Sequence, residues 1–143
     1  MGDKKVLIIE DDLGFFYILQ KTLLKFGIKE VDSVTNGEEA ERYIAGNSPY
    51  QLRSMPDLLF VDLKMAVLDG FELMAWLQSS PLYGKIPVVV LTGSTDPADE
   101  ERSAALGAKS FFVKPVRQSE LEGVVEKVLH KYFGENQSSP TLD

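Results

Sequence analysis

Residues 58–70 read LLFVDLKMAVLDG, and Asp62 follows four apolar residues at a place where neither strand alternation nor a helical period would put a charge. The pattern recurs along the chain. Val6 to Ile9 run into Glu10, Asp11 and Asp12, Val88 to Leu91 run into Thr92, and Phe111 to Val113 run into Lys114 and Pro115. Carboxylates gathered from such ends repel one another when ionised, which raises their pKa values or recruits a cation. The chain has no cysteine and one histidine, so an oxygen-only site for a hard ion such as Mg²⁺ suits it better than zinc. With that ion and Lys114 as positive charge and Thr92 as a hydroxyl donor, the set could stabilise a phosphoryl group arriving on a carboxylate nucleophile. Asp62 is the natural nucleophile.

These residues come together only if the elements carrying them are neighbours. The apolar runs are short and rich in β-branched and aromatic residues, which predicts strands, with Val31 to Val34 as a weaker fifth. Segments of helical spacing lie between them: Phe15, Ile18, Leu19, Thr22, Leu23 and Phe26 closed by Gly27; Ala40, Tyr43 and Ile44 closed by Gly46; Phe71, Met74 and Leu77; and Leu121, Val124, Val125, Val128, Leu129 and Tyr132 closed by Gly134. The segment PADEERSAALG after the fourth strand has small apolar residues, so its helix is expected to pack weakly. Strand and helix in alternation predict an α/β fold, (βα)5, with a parallel sheet buried on both faces. In such sheets ligands bind outside the carboxyl ends of the strands, where the acids, hydroxyl and ammonium all fall.

The 143 residues fit one domain, expected over residues 1–134, with a flexible tail over 135–143 and a long loop over 46–57. Asn136 to Ser138 form a glycosylation sequon, which has no use without a secretory signal, and the N-terminus shows none. The composition, 44% hydrophobic and 26% charged, is that of a globular protein, and the net charge of −7 disfavours nucleic acid and anionic membranes as partners. A cytoplasmic location, with proteins and cations as partners, is expected.

At the same residues the sequence resembles the receiver domain of two-component response regulators, from LIIEDD through FVDLKMAVLDG and VVVLTGS to FFVKP. The resemblance implies a flavodoxin-like, doubly wound, five-stranded parallel sheet of order 2-1-3-4-5. It implies Asp62 as phosphoacceptor, Asp11 as direct Mg²⁺ ligand, Glu10 as an acid acting partly through metal-bound water, and the backbone carbonyl of Lys64 as a further ligand. Thr92 would be the switch hydroxyl, Phe111 the switch aromatic, Lys114 the phosphate-sensing base, and Lys114–Pro115 a cis peptide. Asp12 is free to cap the first helix instead. The implied partners are a histidine kinase or histidine phosphotransfer protein and a downstream protein target, reached through the fourth helix, fifth strand and fifth helix, a face that could also form a dimer. Too few residues follow 134 for an output domain, so a stand-alone, chemotaxis-receiver-like switch is expected, one that catalyses only its own phosphorylation and dephosphorylation.

Two departures from the family pattern stand out: Ala66 replaces a usual proline, freeing the loop after the third strand, and Phe111 replaces a common tyrosine. Rival functions meet specific obstacles. A nucleotide-binding protein would need glycines where EDDLG offers carboxylates, and an aspartyl-phosphate hydrolase would have a second aspartate where Lys64 stands. A degenerate receiver, binding partners without phosphorylation, is the alternative that the complete acid set, Thr92 and Lys114 argue against.

Overall fold

The run preceding Asp62 is strand β3 (Leu58–Val61) in a computed structural model that describes residues 3–134. The tail and the sequon at Asn136 lie outside the described residues. The other elements are β1 (Lys5–Ile9), α1 (Leu13–Lys25), β2 (Glu30–Val34), α2 (Gly37–Ala45), α3 (Gly70–Gln78), β4 (Val88–Thr92), α4 (Pro97–Ala105), β5 (Ser110–Val113) and α5 (Gln118–Phe133). All strand pairs are parallel and the order is β2-β1-β3-β4-β5, as expected.

Strand periodicity divides the core in two. Val6, Ile8, Leu58, Phe60, Val89 and Leu91 face α1 and α5, with Leu23, Val125 and Leu129 among the buried partners. The alternate residues Leu7, Ile9, Leu59, Val61, Val88 and Val90 face α2 and α3, where Ile44, Leu73 and Met74 meet them. The three central strands therefore read as continuous apolar runs. β2 and β5 correct the expectation of strands buried throughout: they are edges, and several of their residues keep partial or full exposure because no further strand covers them.

The ladder aligns the functional ends. Ile9 is level with Val61, Val61 with Val90, and Thr92 with Val113. Hydrogen bonding then continues one residue past the strands, from Asp62 N to the Ile9 carbonyl at 3.1 Å and from Lys114 N to the Thr92 carbonyl at 2.7 Å. Side chains start α1 to α4: Asp12, Asn36, Asp69 and Asp96 each accept a backbone N–H of the first turn. Asp12 is thus the cap of α1, accepting the Phe15 N–H at 3.2 Å.

The loop over residues 46–57 is strapped to the end of the sheet opposite these carboxylates. The Lys5 ammonium donates to the Ser54 carbonyl at 3.0 Å and lies 3.6 Å from Asp32, which also faces Arg53 at 3.7 Å and accepts the Tyr43 hydroxyl at 2.5 Å. Burial and the Asp32 carboxylate together push the Tyr43 phenol well above its ordinary pKa, so it remains a donor.

α4 is the loosely held helix. Ser103 is its one buried residue, and a cavity of about 180 Å³ lies between it and β5, lined by Glu100, Ser103 and Ala104 with Ser110 and Phe111. Its ties to α3 are the Arg102 guanidinium, 4.0 Å from the centre of the Phe71 ring, and a 3.4 Å hydrogen bond from Gln78 to the Ala105 carbonyl. Few buried apolar contacts mean a low free energy of local opening. Native-state hydrogen exchange should show α4 amides exchanging at least about tenfold faster than those of α5, a gap of about 1.4 kcal/mol; equal protection of the two helices would show that α4 belongs to the cooperative core.

Candidate functional site

The site forms at the adjacent ends of β1 and β3, reached across the end of β4 by the Lys114 side chain from the turn after β5. Glu10 and Asp62 are 3% and 7% exposed, so two acids are almost wholly withdrawn from water at neighbouring strand ends. Asp11, the next residue, is exposed, and one carboxylate oxygen from each of Glu10, Asp11 and Asp62 lies within 4.8 Å of the others. The Lys114 ammonium sits among them. It lies 3.0 and 3.1 Å from the two Glu10 oxygens and 3.2 Å from Asp62 Oδ2.

Electrostatics explains the arrangement. Burial, joined by the Asp62 charge, raises Glu10 to about 7 even though hydrogen bonds from Lys114 and from the Asp12 amide, 3.0 Å away, act to lower it. For Lys114, burial acts to lower the pKa, but the bond to Glu10 and the charge of Asp62 outweigh it and hold the ammonium above the ordinary lysine value. One ammonium therefore serves two buried carboxyl groups, with Asp11 beside them.

The donor set fits a hard divalent ion. One carboxylate oxygen each from Glu10, Asp11 and Asp62 lies within 4.8 Å of the others, and an oxygen-only set of this kind is what Mg²⁺ takes. The chain between Asp62 and α3 is pinned as well: Lys64 N reaches Asp62 Oδ1 at 3.4 Å and Gly70 N donates to the Leu63 carbonyl at 3.0 Å. Gly70 is required by close approach, because a Cβ there would lie 2.5 Å from the Asp62 carbonyl. The Lys64 side chain is exposed.

Thr92 is fully buried at the end of β4, and its hydroxyl accepts the Ser94 amide at 3.4 Å. Ser94 in turn donates to Asp99 of α4 at 2.6 Å, tying the loop after Thr92 to the loosely packed helix. Gly93 between them leaves open space where a side chain would stand. Phe111 is half-buried and lines the 180 Å³ cavity with Ser103 and Ala104 of α4.

The structure thus brings Glu10, Asp11, Asp62 and Lys114 together, with Thr92 on the adjoining strand end, and places Phe111 at α4. The expected cis bond at Lys114–Pro115 is corrected: it is trans, the cis peptide among the described residues being Ser48–Pro49. The trans form is the intrinsically favoured X-Pro isomer, and with it the ammonium already reaches both acids. Sequence reasoning gave Phe15 only a core role, yet Lys114 Nζ lies 4.8 Å from its ring centre, a cation–π contact on the apolar side of the ammonium. Its place one turn past Asp11 was the available signal. His130 is exposed in the last turn of α5, and Trp76 stacks on Tyr83, so neither enters the site.

Residues 6–126 match the family model of the response regulator receiver domain. Among solved structures, that of the phosphorylated cyanobacterial phytochrome response regulator RcpA is 29% identical with a TM-score of 0.87, the match covering 97% of this chain and 99% of that one. The Mn²⁺-bound form of response regulator Rcp1 is 26% identical with a TM-score of 0.83, covering 96% and 99%. Among curated proteins, the probable methanogenesis regulatory protein FilR2 of Methanothrix harundinacea is 27% identical over 93% of this chain and 86% of that protein. The phosphate regulon transcriptional regulatory protein PhoB of Rhizobium meliloti is 29% identical over 89% of this chain but only 52% of its own length. The chain spans about half the length of several such relatives.

Lys114→Ala leaves Glu10 and Asp62 without their counter-ion. Removing one partner of a mostly buried ion pair is expected to destabilise the metal-free protein by about 3 kcal/mol at pH 8, measured by urea unfolding, and saturating Mg²⁺ is expected to restore part of the loss. Stability unchanged by Lys114→Ala would mean that the carboxylates are not charged against one another.

Proposed function

Because the chain belongs to the response regulator receiver domain family, we propose that it works as a phosphorylation switch in which Asp62 takes a phosphoryl group from a phosphohistidine. The donor would be a histidine kinase or a histidine phosphotransfer protein. The observation that carries this reading is the convergence of Glu10, Asp11, Asp62 and Lys114 on one small volume at the sheet's carboxyl end. Among the described residues no helix is long and apolar enough to cross a membrane.

An oxygen of the Asp62 carboxylate attacks phosphorus, the new P–O bond forms as the P–N bond breaks, and the imidazole nitrogen keeps the electron pair and takes a proton from solvent. Little covalent chemistry falls to the protein, so positioning and charge carry the reaction. Glu10, Asp11, Asp62 and the Lys64 carbonyl would hold Mg²⁺, which when bound supplies positive charge to the phosphoryl oxygens; Rcp1, a structural relative, has an Mn²⁺-bound form. The Lys114 ammonium, 3.2 Å from Asp62, is placed to follow the negative charge from the carboxylate to the phosphoryl oxygens. Thr92, one strand away and beside the open space at Gly93, offers its hydroxyl to the same oxygens once it leaves the Ser94 amide.

That movement has a route to the surface. Thr92, Ser94 and Asp99 form a chain of hydrogen bonds into α4, and α4 shares a cavity with Phe111. The face of α4, β5 and α5 is the proposed output surface, taken by a downstream protein or a second copy of the chain.

Incubation with acetyl phosphate and Mg²⁺, followed by intact mass, is expected to show one labile phosphoryl adduct on the wild type and none on Asp62→Asn. Labelling of Asp62→Asn at the wild-type rate would refute the acceptor, and absence of any adduct on the wild type would favour a binding module that needs no phosphorylation.

A further inference from the structure

Between Asp62 and α3 the chain makes a turn of rare geometry. Val67 has φ +67°, and the Leu68 amide donates to the Ala66 carbonyl at 2.8 Å, which closes a three-residue γ-turn on a β-branched residue. The positive-φ γ-turn is strained even before a branched side chain is added. Nothing at Val67 itself offsets this, because its side chain is 73% exposed. The offset comes from two backbone hydrogen bonds, one within this segment and one from the start of α2. Gly70 N binds the Leu63 carbonyl on one side, and on the other Gly37 N donates to the Leu68 carbonyl at 2.8 Å.

Gly37 is the first residue of α2, and its N–H is one of the helix-end donors left without an intrahelical acceptor. Its φ is not positive, and alanine would serve the helix better, so conformational freedom does not explain a glycine here. Space does. A Cβ at residue 37 would lie 2.5 Å from the Leu68 carbonyl oxygen, 2.8 Å from Leu68 Cδ2 and 3.0 Å from its Cβ. Glycine is therefore the residue that lets the start of α2 approach the acceptor loop closely enough for this hydrogen bond.

We propose that Gly37 is a positioning residue for the phosphoacceptor loop: by binding the Leu68 carbonyl it holds the strained turn closed and fixes the path of Lys64, whose backbone carbonyl is the proposed fourth metal ligand. This rests on the metal site described above. The clamp does for this chain what the absent proline at Ala66 would otherwise do, since a fixed φ is replaced by a contact from a neighbouring loop.

The test compares Mg²⁺ titrations of the unphosphorylated protein, read by the thermal midpoint. Gly37→Ala is expected to weaken apparent Mg²⁺ affinity about tenfold, the scale for loss of a group that orients a ligand. Asn36→Ala, which removes the α2 cap at 2.8 Å from Glu39 N without touching Leu68, is expected to lower the midpoint but leave Mg²⁺ affinity at the wild-type value. Val67→Gly, with the clamp intact, is expected to keep affinity within about twofold, as an exposed substitution should. Equal affinity in Gly37→Ala and wild type would overturn the assignment. Should Gly37→Ala fail to fold, a tenfold loss in Val67→Gly would overturn it too, by placing the positioning in the turn. Asp11→Asn in the same series separates the two layers. Wild type responding no more than Asp11→Asn would remove the metal site and the clamp's role with it, whereas a response lost in Asp11→Asn but kept in Gly37→Ala would remove only the clamp.

Discussion

Carboxylates held next to one another repel, and the repulsion between the buried Glu10 and Asp62, with the exposed Asp11 beside them, is the constraint around which the rest of this molecule is arranged. A parallel sheet supplies the rigid frame that holds them against it. Adjacent strands in register carry Glu10 and Asp62 to the same height, and the backbone bond from Asp62 N to the Ile9 carbonyl leaves little freedom to separate. Lys114, arriving from the far edge of the sheet, offsets part of the charge, and the apolar face of Phe15 confines its ammonium. The unbalanced remainder is what suits the site to the divalent cation and the phosphoryl group proposed for it. Stability of the fold and readiness for chemistry are thus opposed here, as is common where strain and charge are concentrated at functional sites.

The two sides of the acceptor differ in firmness. Toward β1 and α2, Asp62 is surrounded by strand ends and by loops locked through Gly37 and Gly70, both set by close backbone approach. Toward α4, the neighbours are Thr92, Ser94 and Asp99, joined by hydrogen bonds, and a helix with one buried residue and a cavity beneath it. A change of charge at Asp62 would find the first side unyielding and the second able to move. Firmness on one side would direct the proposed chemical event to the other, since a pocket that relaxed in every direction would transmit nothing.

Most of this was legible in the sequence because the signals were periodic or terminal. Apolar runs too short for helices gave the strands, three-and-four spacing gave the helices, and a polar residue at the end of each run marked the site. The readings that went astray or were missed depend on contacts between segments distant in the chain. That β2 and β5 are partly exposed follows from their place at the sheet edges, which local composition does not encode. Phe15 reads as one more member of a core stripe until Lys114 is placed above it. Gly37 reads as a plain helix-start glycine until Leu68 is seen against it. The trans bond at Lys114–Pro115 departs from the family expectation, and no residue near it signals the difference.

The central claim is that the carboxylate at residue 62, alone among the three acids, accepts the phosphoryl group. Borohydride reduction of the phosphorylated protein converts a side-chain acyl phosphate to an alcohol at the residue that carried it, and peptide mass mapping then reads the position. The account predicts the reduced side chain at residue 62 in the peptide spanning β3 and the loop after it. Reduction at Glu10 or Asp11 in place of residue 62 would contradict it.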